Sequence, residues 1–244
     1  MMDGMAFETD SCVVNCAHPG DVLHHMVDKR REPLFANLLF GPMAWHWDAI
    51  LLSPGGNDLI DFIRVPFVDG QGQPVPPFLR ALLTPEERGG DPDRAQSYVS
   101  EQGWDTFVQH ITPQFQEFIA MRDSPDSQSQ GVPIFVHTYD FITPRDAGAG
   151  AGSGPWLFPA LQDYEVPQAV WLALTRLFLS RLTGLMRSMN LPNFQVVDTQ
   201  GTLVPADLGS TGDDHDWANE IHPNPGGYAK LGQVFAAGIE ALMP

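Results

Sequence analysis

The chain has 244 residues, 43% of them hydrophobic, which is enough to bury a substantial core and reads as a single domain over residues 1–244. Thirty Asp and Glu against thirteen Lys and Arg give a formal charge of −17, so most of the surface repels phosphate backbones and anionic membranes, and nucleic acid is not expected as a partner. No run of about 18 apolar residues predicts a transmembrane helix, and the first ten residues lack the basic and apolar regions of a signal peptide.

In chain order, residues 11–17, Ser-Cys-Val-Val-Asn-Cys-Ala, read as a strand with a β-branched centre. Cys12 and Cys16 would then lie about 13 Å apart at about 3.3 Å per residue, too far for a disulfide. Buried free thiols are expected, in keeping with a reducing, cytoplasmic compartment. His18-Pro19-Gly20-Asp21 follows as a tight loop, then a helix over residues 22–31.

The order of elements recurs with a strand at 49–53, a loop Pro54-Gly55-Gly56-Asn57-Asp58 and a helical run at 59–63. Further strands are predicted at 132–137 and 194–198, and helices at 166–189 and 227–242. Loops at 65–74 and 145–159, the second glycine-rich, read as flexible insertions that border the site. Strands alternating with helices predict an α/β fold: a mainly parallel sheet covered on both faces, with ligands outside the strand carboxyl ends.

Two of those loops, around Gly20 and around Asn57, offer N–H donors that could face one cleft. In acyl transfer such fixed donors stabilise the oxyanion by about 3 to 4 kcal/mol each. Alone, Gly-Gly-Asn-Asp is equally well explained as turn and capping chemistry. His222 supplies a side chain that titrates near neutrality and so suits a general base.

Together these residues resemble the SGNH (GDSL-type) hydrolases. Residues 12–21 resemble the second conserved block of that family, Gly55-Gly56-Asn57-Asp58 matches its third, and residues 217–227, Trp-Ala-Asn-Glu-Ile-His-Pro-Asn-Pro-Gly-Gly, resemble its fifth. The resemblance implies a three-layer, flavodoxin-like α/β/α sandwich and a serine esterase or lipase-like acyl hydrolase. Gly20 N–H and the Asn57 side-chain amide would form the oxyanion hole. His222 would activate a serine and protonate the leaving alcohol. Neither metal nor organic cofactor is required. The implied partner is a small-molecule or carbohydrate ester, and a homo-oligomer is left open.

The chain departs from the family in two places. The Gly-Asp-Ser block that carries the nucleophile has no room upstream of residue 11, so the first strand is expected to be missing and the sequence to be an N-terminally truncated form. Ser11 precedes its strand, and Ser53, beside the oxyanion loop, is read mainly as a packing residue. The acid expected three residues before His222 is Asn219, with Asp216 and Glu220 as substitutes. A degenerate domain that binds an ester or glycan without cleaving it is the alternative function. A flavodoxin-like phosphate or nucleotide binder is weaker, since the Gly-Gly-Asn-Asp loop is neither a Walker loop nor a dinucleotide fingerprint.

Overall fold

Three of the apolar runs become short strands: β1 (Ile50–Leu52), β2 (Ile134–His137) and β3 (Phe194–Val197). They form one parallel sheet in the order β1-β2-β3, with Ile50 opposite Ile134 and Ile134 opposite Phe194. The computed structural model describes residues 1–243.

Seven helices surround the sheet among the described residues: α1 (Leu23–Met26), α2 (Pro33–Phe40), α3 (Gly56–Ile63), α4 (Glu101–Arg122), α5 (Leu157–Asp163), α6 (Gln168–Ser188) and α7 (Pro225–Leu242). Parallel neighbours require crossovers, and these are made by α3 and α4 before β2 and by α5 and α6 before β3. Alternate strand residues serve opposite faces. Ile134 and Val136 join a large apolar cluster with Phe115 and Phe118 of α4 and with Phe178 and Leu182 of α6. Phe135 and Val197 join a second cluster with Phe235 and Ile239 of α7. The sheet is thus covered on both faces.

Helix α4 begins at the Ser100 cap, whose hydroxyl accepts from Gly103 N at 3.1 Å. Its stripe of Phe107, Ile111, Phe115 and Phe118 is buried, with Pro113 inside the helix. Helix α6 is long and apolar enough to cross a membrane by length and composition, but half of that window is buried inside the protein. Leu174, Phe178, Leu182 and Met186 spend its apolar stripe on the core.

The first 48 residues differ most from expectation. Residues 11–17 form no regular element and make no strand pairing. A strand forms only against a neighbour, and among the described residues nothing pairs with this segment or with the outer edge of β1. Val13 and Val14 are exposed as a result. Cys12 is exposed and Cys16 half-buried, both as free thiols rather than core residues. The helix expected at 22–31 shrinks to the single turn α1, and the longer helix starts after it with Pro33 in its first turn.

At the other end, Asn224 caps α7 by accepting from Gly227 N at 3.0 Å. A Cβ on Gly227 would stand 2.3 Å from the Asp216 carbonyl oxygen, so glycine lets α7 press against the loop that precedes it. Gly227→Ala should lower stability by about 1 to 3 kcal/mol through overpacking. Urea denaturation reads this directly, and an unchanged midpoint would show that the helix and loop can separate freely.

Candidate active site

A cavity of about 1250 Å³ runs along the outer edge of β1 and reaches the carboxyl ends of β1 and β2. Its walls include Gly20, Ser53, Asn57, His137, Tyr139 and His222. Ser11 also lines it, with no hydrogen bond to a histidine. A polar floor at strand carboxyl ends is where open parallel sheets bind ligands.

His222 is oriented by Asn219. The Asn219 Oδ1 accepts from His222 N at 2.9 Å and from Ile221 N at 3.2 Å, which fixes the amide with its oxygen toward the imidazole. Oδ1 lies 3.0 Å from His222 Nδ1, so Nδ1 carries the proton and Nε2 is left as the bare base. Burial lowers the His222 pKa, which keeps the ring neutral near pH 7. The edge of Trp156 packs against the ring, with centroids 5.0 Å apart. Among the described residues no serine hydroxyl bonds His222.

Neither alternative acid reaches His222. Asp216 is held by Lys230 Nζ at 2.7 Å and by Val204 N at 2.8 Å. Glu220 turns inward, is 1% exposed, and accepts backbone N–H groups of Arg145, Trp156, Leu157 and Phe158. Burial raises its pKa, and those four donors oppose the rise. Buried Arg145 donates to the Asn219 carbonyl at 2.8 Å and to the Gly212 carbonyl at 2.5 Å. Residues 145–159 therefore start as a pinned segment rather than a free flap. Apart from the Trp156 contact they do not border the cavity, and residues 65–74 do not line it either.

Gly20 sits at φ +81°, a left-handed conformation suited to glycine. Its N–H has no partner among the described residues, so it is available as a donor to the cavity. The Asn57 side-chain amide is partly committed, donating to the Asp21 carbonyl at 2.7 Å. The neighbouring Asp58 carboxylate accepts from Leu23 N at 3.0 Å. Neither side chain caps α3, whose N-cap is Gly55 with no side-chain bond; Asn57 and Asp58 instead tie this loop to the one around Asp21 and Leu23. Asn57 Nδ2 keeps a second hydrogen for a ligand.

The group that sequence reasoning set aside is Ser53. It is exposed at the end of β1, and its Oγ lies 2.8 Å from Nε2 of His137, the last residue of β2. His137 Nδ1 lies 3.1 Å from the Thr138 carbonyl oxygen. That oxygen can only accept, so Nδ1 bears the proton and Nε2 accepts the Ser53 hydroxyl. Tyr139 donates to the Ser53 carbonyl at 3.0 Å, and its hydroxyl also lies 3.0 Å from Ser53 Oγ. A Cβ on Gly56 would overlap the Tyr139 ring at 2.1 Å, so this glycine is what admits the tyrosine. Polar residues after the apolar run at 132–137 were visible in the sequence, but nothing local pairs His137 with Ser53, 84 residues away.

Outside the cavity, Asp207, Asp214 and His215 bring ligand atoms within 4.8 Å of one another near the surface, a grouping that acidic surface residues form without any ion. Compared with known proteins, the chain matches no protein-family model, no curated protein and no solved structure at a significant level.

Burial pushes the His137 pKa down from 6.5 to about 4. The unfolded chain therefore binds a proton below pH 6.5 that the folded chain refuses until about pH 4. Stability from this residue is complete above pH 6.5 and declines toward pH 4 by about 3 kcal/mol. Replacing it by glutamine, which does not titrate, should reduce the slope of stability against pH across that window. Parallel slopes for wild type and His137→Gln in urea titrations would show that His137 does not titrate differently on folding.

Proposed function

We propose that the chain is a carboxylic ester hydrolase of the SGNH type, on a three-layer α/β/α sandwich, acting through a serine acyl-enzyme on a small-molecule or carbohydrate ester. The observation that carries the reading is His222: a neutral imidazole fixed through Nδ1 by Asn219, with Nε2 unpartnered, on the wall of the cavity that also holds Gly20 and Asn57. In this reading the carbonyl oxygen of the ester takes hydrogen bonds from Gly20 N–H and the free Asn57 amide hydrogen as it becomes an oxyanion. His222 Nε2 serves as the general base. Asn219 orients the ring as an aspartate would, but an amide stabilises imidazolium less than a carboxylate does, so turnover should be slow.

The competing reading is an ester- or glycan-binding domain without hydrolysis, favoured by the lack of a serine hydroxyl on His222. Turnover of p-nitrophenyl acetate separates the two. The hydrolase reading expects a measurable rate that falls about 10²- to 10⁴-fold in His222→Ala, the range for loss of a general base. No turnover above the buffer rate, or the same turnover in the variant, would leave only the binding reading.

A further inference from the structure

We propose that Ser53 is the nucleophile of this site and that His137 takes its proton in the acylation step, leaving His222 as the general base of deacylation. The inference rests on the hydrolase reading above and names the residue that reading leaves open. Ser53 is the only serine among the described residues whose hydroxyl is bonded to an imidazole, at 2.8 Å. The direction of that bond follows from Thr138: its carbonyl oxygen occupies the Nδ1 side of the ring, so Nε2 has a lone pair aimed at Ser53 Oγ. An exposed hydroxyl on a buried, bare imidazole nitrogen is the geometry of an activated nucleophile. Ser53 leads directly into the Gly55-Gly56-Asn57 turn, with Gly55 at φ +84°, which places it beside the Asn57 donor on the cavity wall. Pro54 follows Ser53 and has no N–H, so the residue after the serine supplies no oxyanion donor. That task falls to Gly20 and Asn57.

The steps balance with two histidines. Ser53 Oγ forms a bond to the ester carbonyl carbon while its proton passes to His137 Nε2. As the tetrahedral adduct collapses, the bond from carbon to the alcohol oxygen breaks and His137 returns that proton to the leaving alcohol. Water then attacks the acyl-Ser53 carbonyl, giving a proton to His222 Nε2. As the acyl–Oγ bond breaks and the carboxylic acid leaves, Ser53 Oγ takes up a proton from solvent and His222 gives its proton back to solvent, so serine and both imidazoles are regenerated. Tyr139, bonded to Ser53 through both the carbonyl and the hydroxyl, is a positioning residue that keeps the serine on the cavity wall.

The test is to label the intact protein with a fluorophosphonate, map the modified serine by mass spectrometry, and follow p-nitrophenyl acetate in parallel. The expected result is label on Ser53, lost in Ser53→Ala with turnover down about 10³-fold or more. His137→Gln can still accept the Ser53 hydrogen bond but cannot take its proton, so it should slow labelling by about 10²-fold or more while retaining a folded circular dichroism spectrum. In His222→Ala, acyl-Ser53 should accumulate as a burst followed by slowed turnover. Label on any other serine, or an unchanged labelling rate in folded His137→Gln, overturns the assignment to Ser53 and His137 and leaves the hydrolase reading intact. No labelled serine together with no turnover overturns both.

Discussion

Parallel pairing of β1 with β2, in the register that sets Leu52 beside Val136, decides where every polar group of the site can be. Parallel strands end at the same edge of a sheet, so Ser53 and His137, which lie just past those partners, arrive side by side although 84 residues separate them. A slip of one residue would turn His137 to the opposite face, among the α4 and α6 side chains. The apolar residues that oppose such a slip are Ile134, Phe135 and Val136, each 0% exposed.

The two histidines occupy contrasting settings that follow from this placement. His137 ends a strand whose whole length is buried, packs against Phe235 of α7 at a centroid distance of 5.6 Å, and is driven far toward its neutral form. His222 sits on a loop, half-buried, with a smaller displacement in the same direction. The loop is itself built on buried charge. Glu220 gathers four backbone N–H groups, and Arg145 gathers loop carbonyls through its terminal nitrogens while its Nε has no partner; buried charges are costly unless bonded in this way. Removing either would leave the other side of a dense network unsatisfied, and Trp156 would lose its seat against the His222 ring.

What could be read from the sequence was whatever depends on local pattern. The runs at 49–53, 132–137 and 194–198 became strands because each is apolar and flanked by turn residues. Asn219 stands where the family resemblance places the orienting acid, with Asp216 and Glu220 left open as substitutes, and the structure sets Asn219 on His222 Nδ1. The stripe of Phe107, Ile111, Phe115 and Phe118 carries an equally clear helical period behind a Ser100 cap, interrupted only by Pro113, and it could have been found the same way. Residues 11–17 show the limit of such reasoning: β-branched residues favour a strand, but a ladder needs a neighbour. The Ser53–His137 contact had no local signal at all, because it is created by strand pairing. Asn57 was legible as a donor, its expected capping role is not met because Gly55 caps α3 without a side-chain bond, and only the structure shows one of its amide hydrogens already spent on Asp21.

The tautomer of His137 is secured from a distance, by the junction of β2 with β3. The Thr138 carbonyl that receives the imidazole proton also accepts the Thr199 hydroxyl. The Thr138 hydroxyl in turn donates to Asp198 at 3.0 Å and accepts Thr199 N at 2.8 Å. Asp198 is anchored outward by Arg187 at 2.7 Å and inward by the backbone N–H of Gln200 at 3.1 Å, and although burial alone would raise its pKa, these bonds hold the carboxyl below its ordinary range. Thr138 and Thr199 are both 0% exposed, so water cannot substitute for their bonds, and rotating the Thr138 peptide would break several at once. A carbonyl held this firmly offers His137 only an acceptor. The imidazole proton is confined to Nδ1, and Nε2 is left facing Ser53.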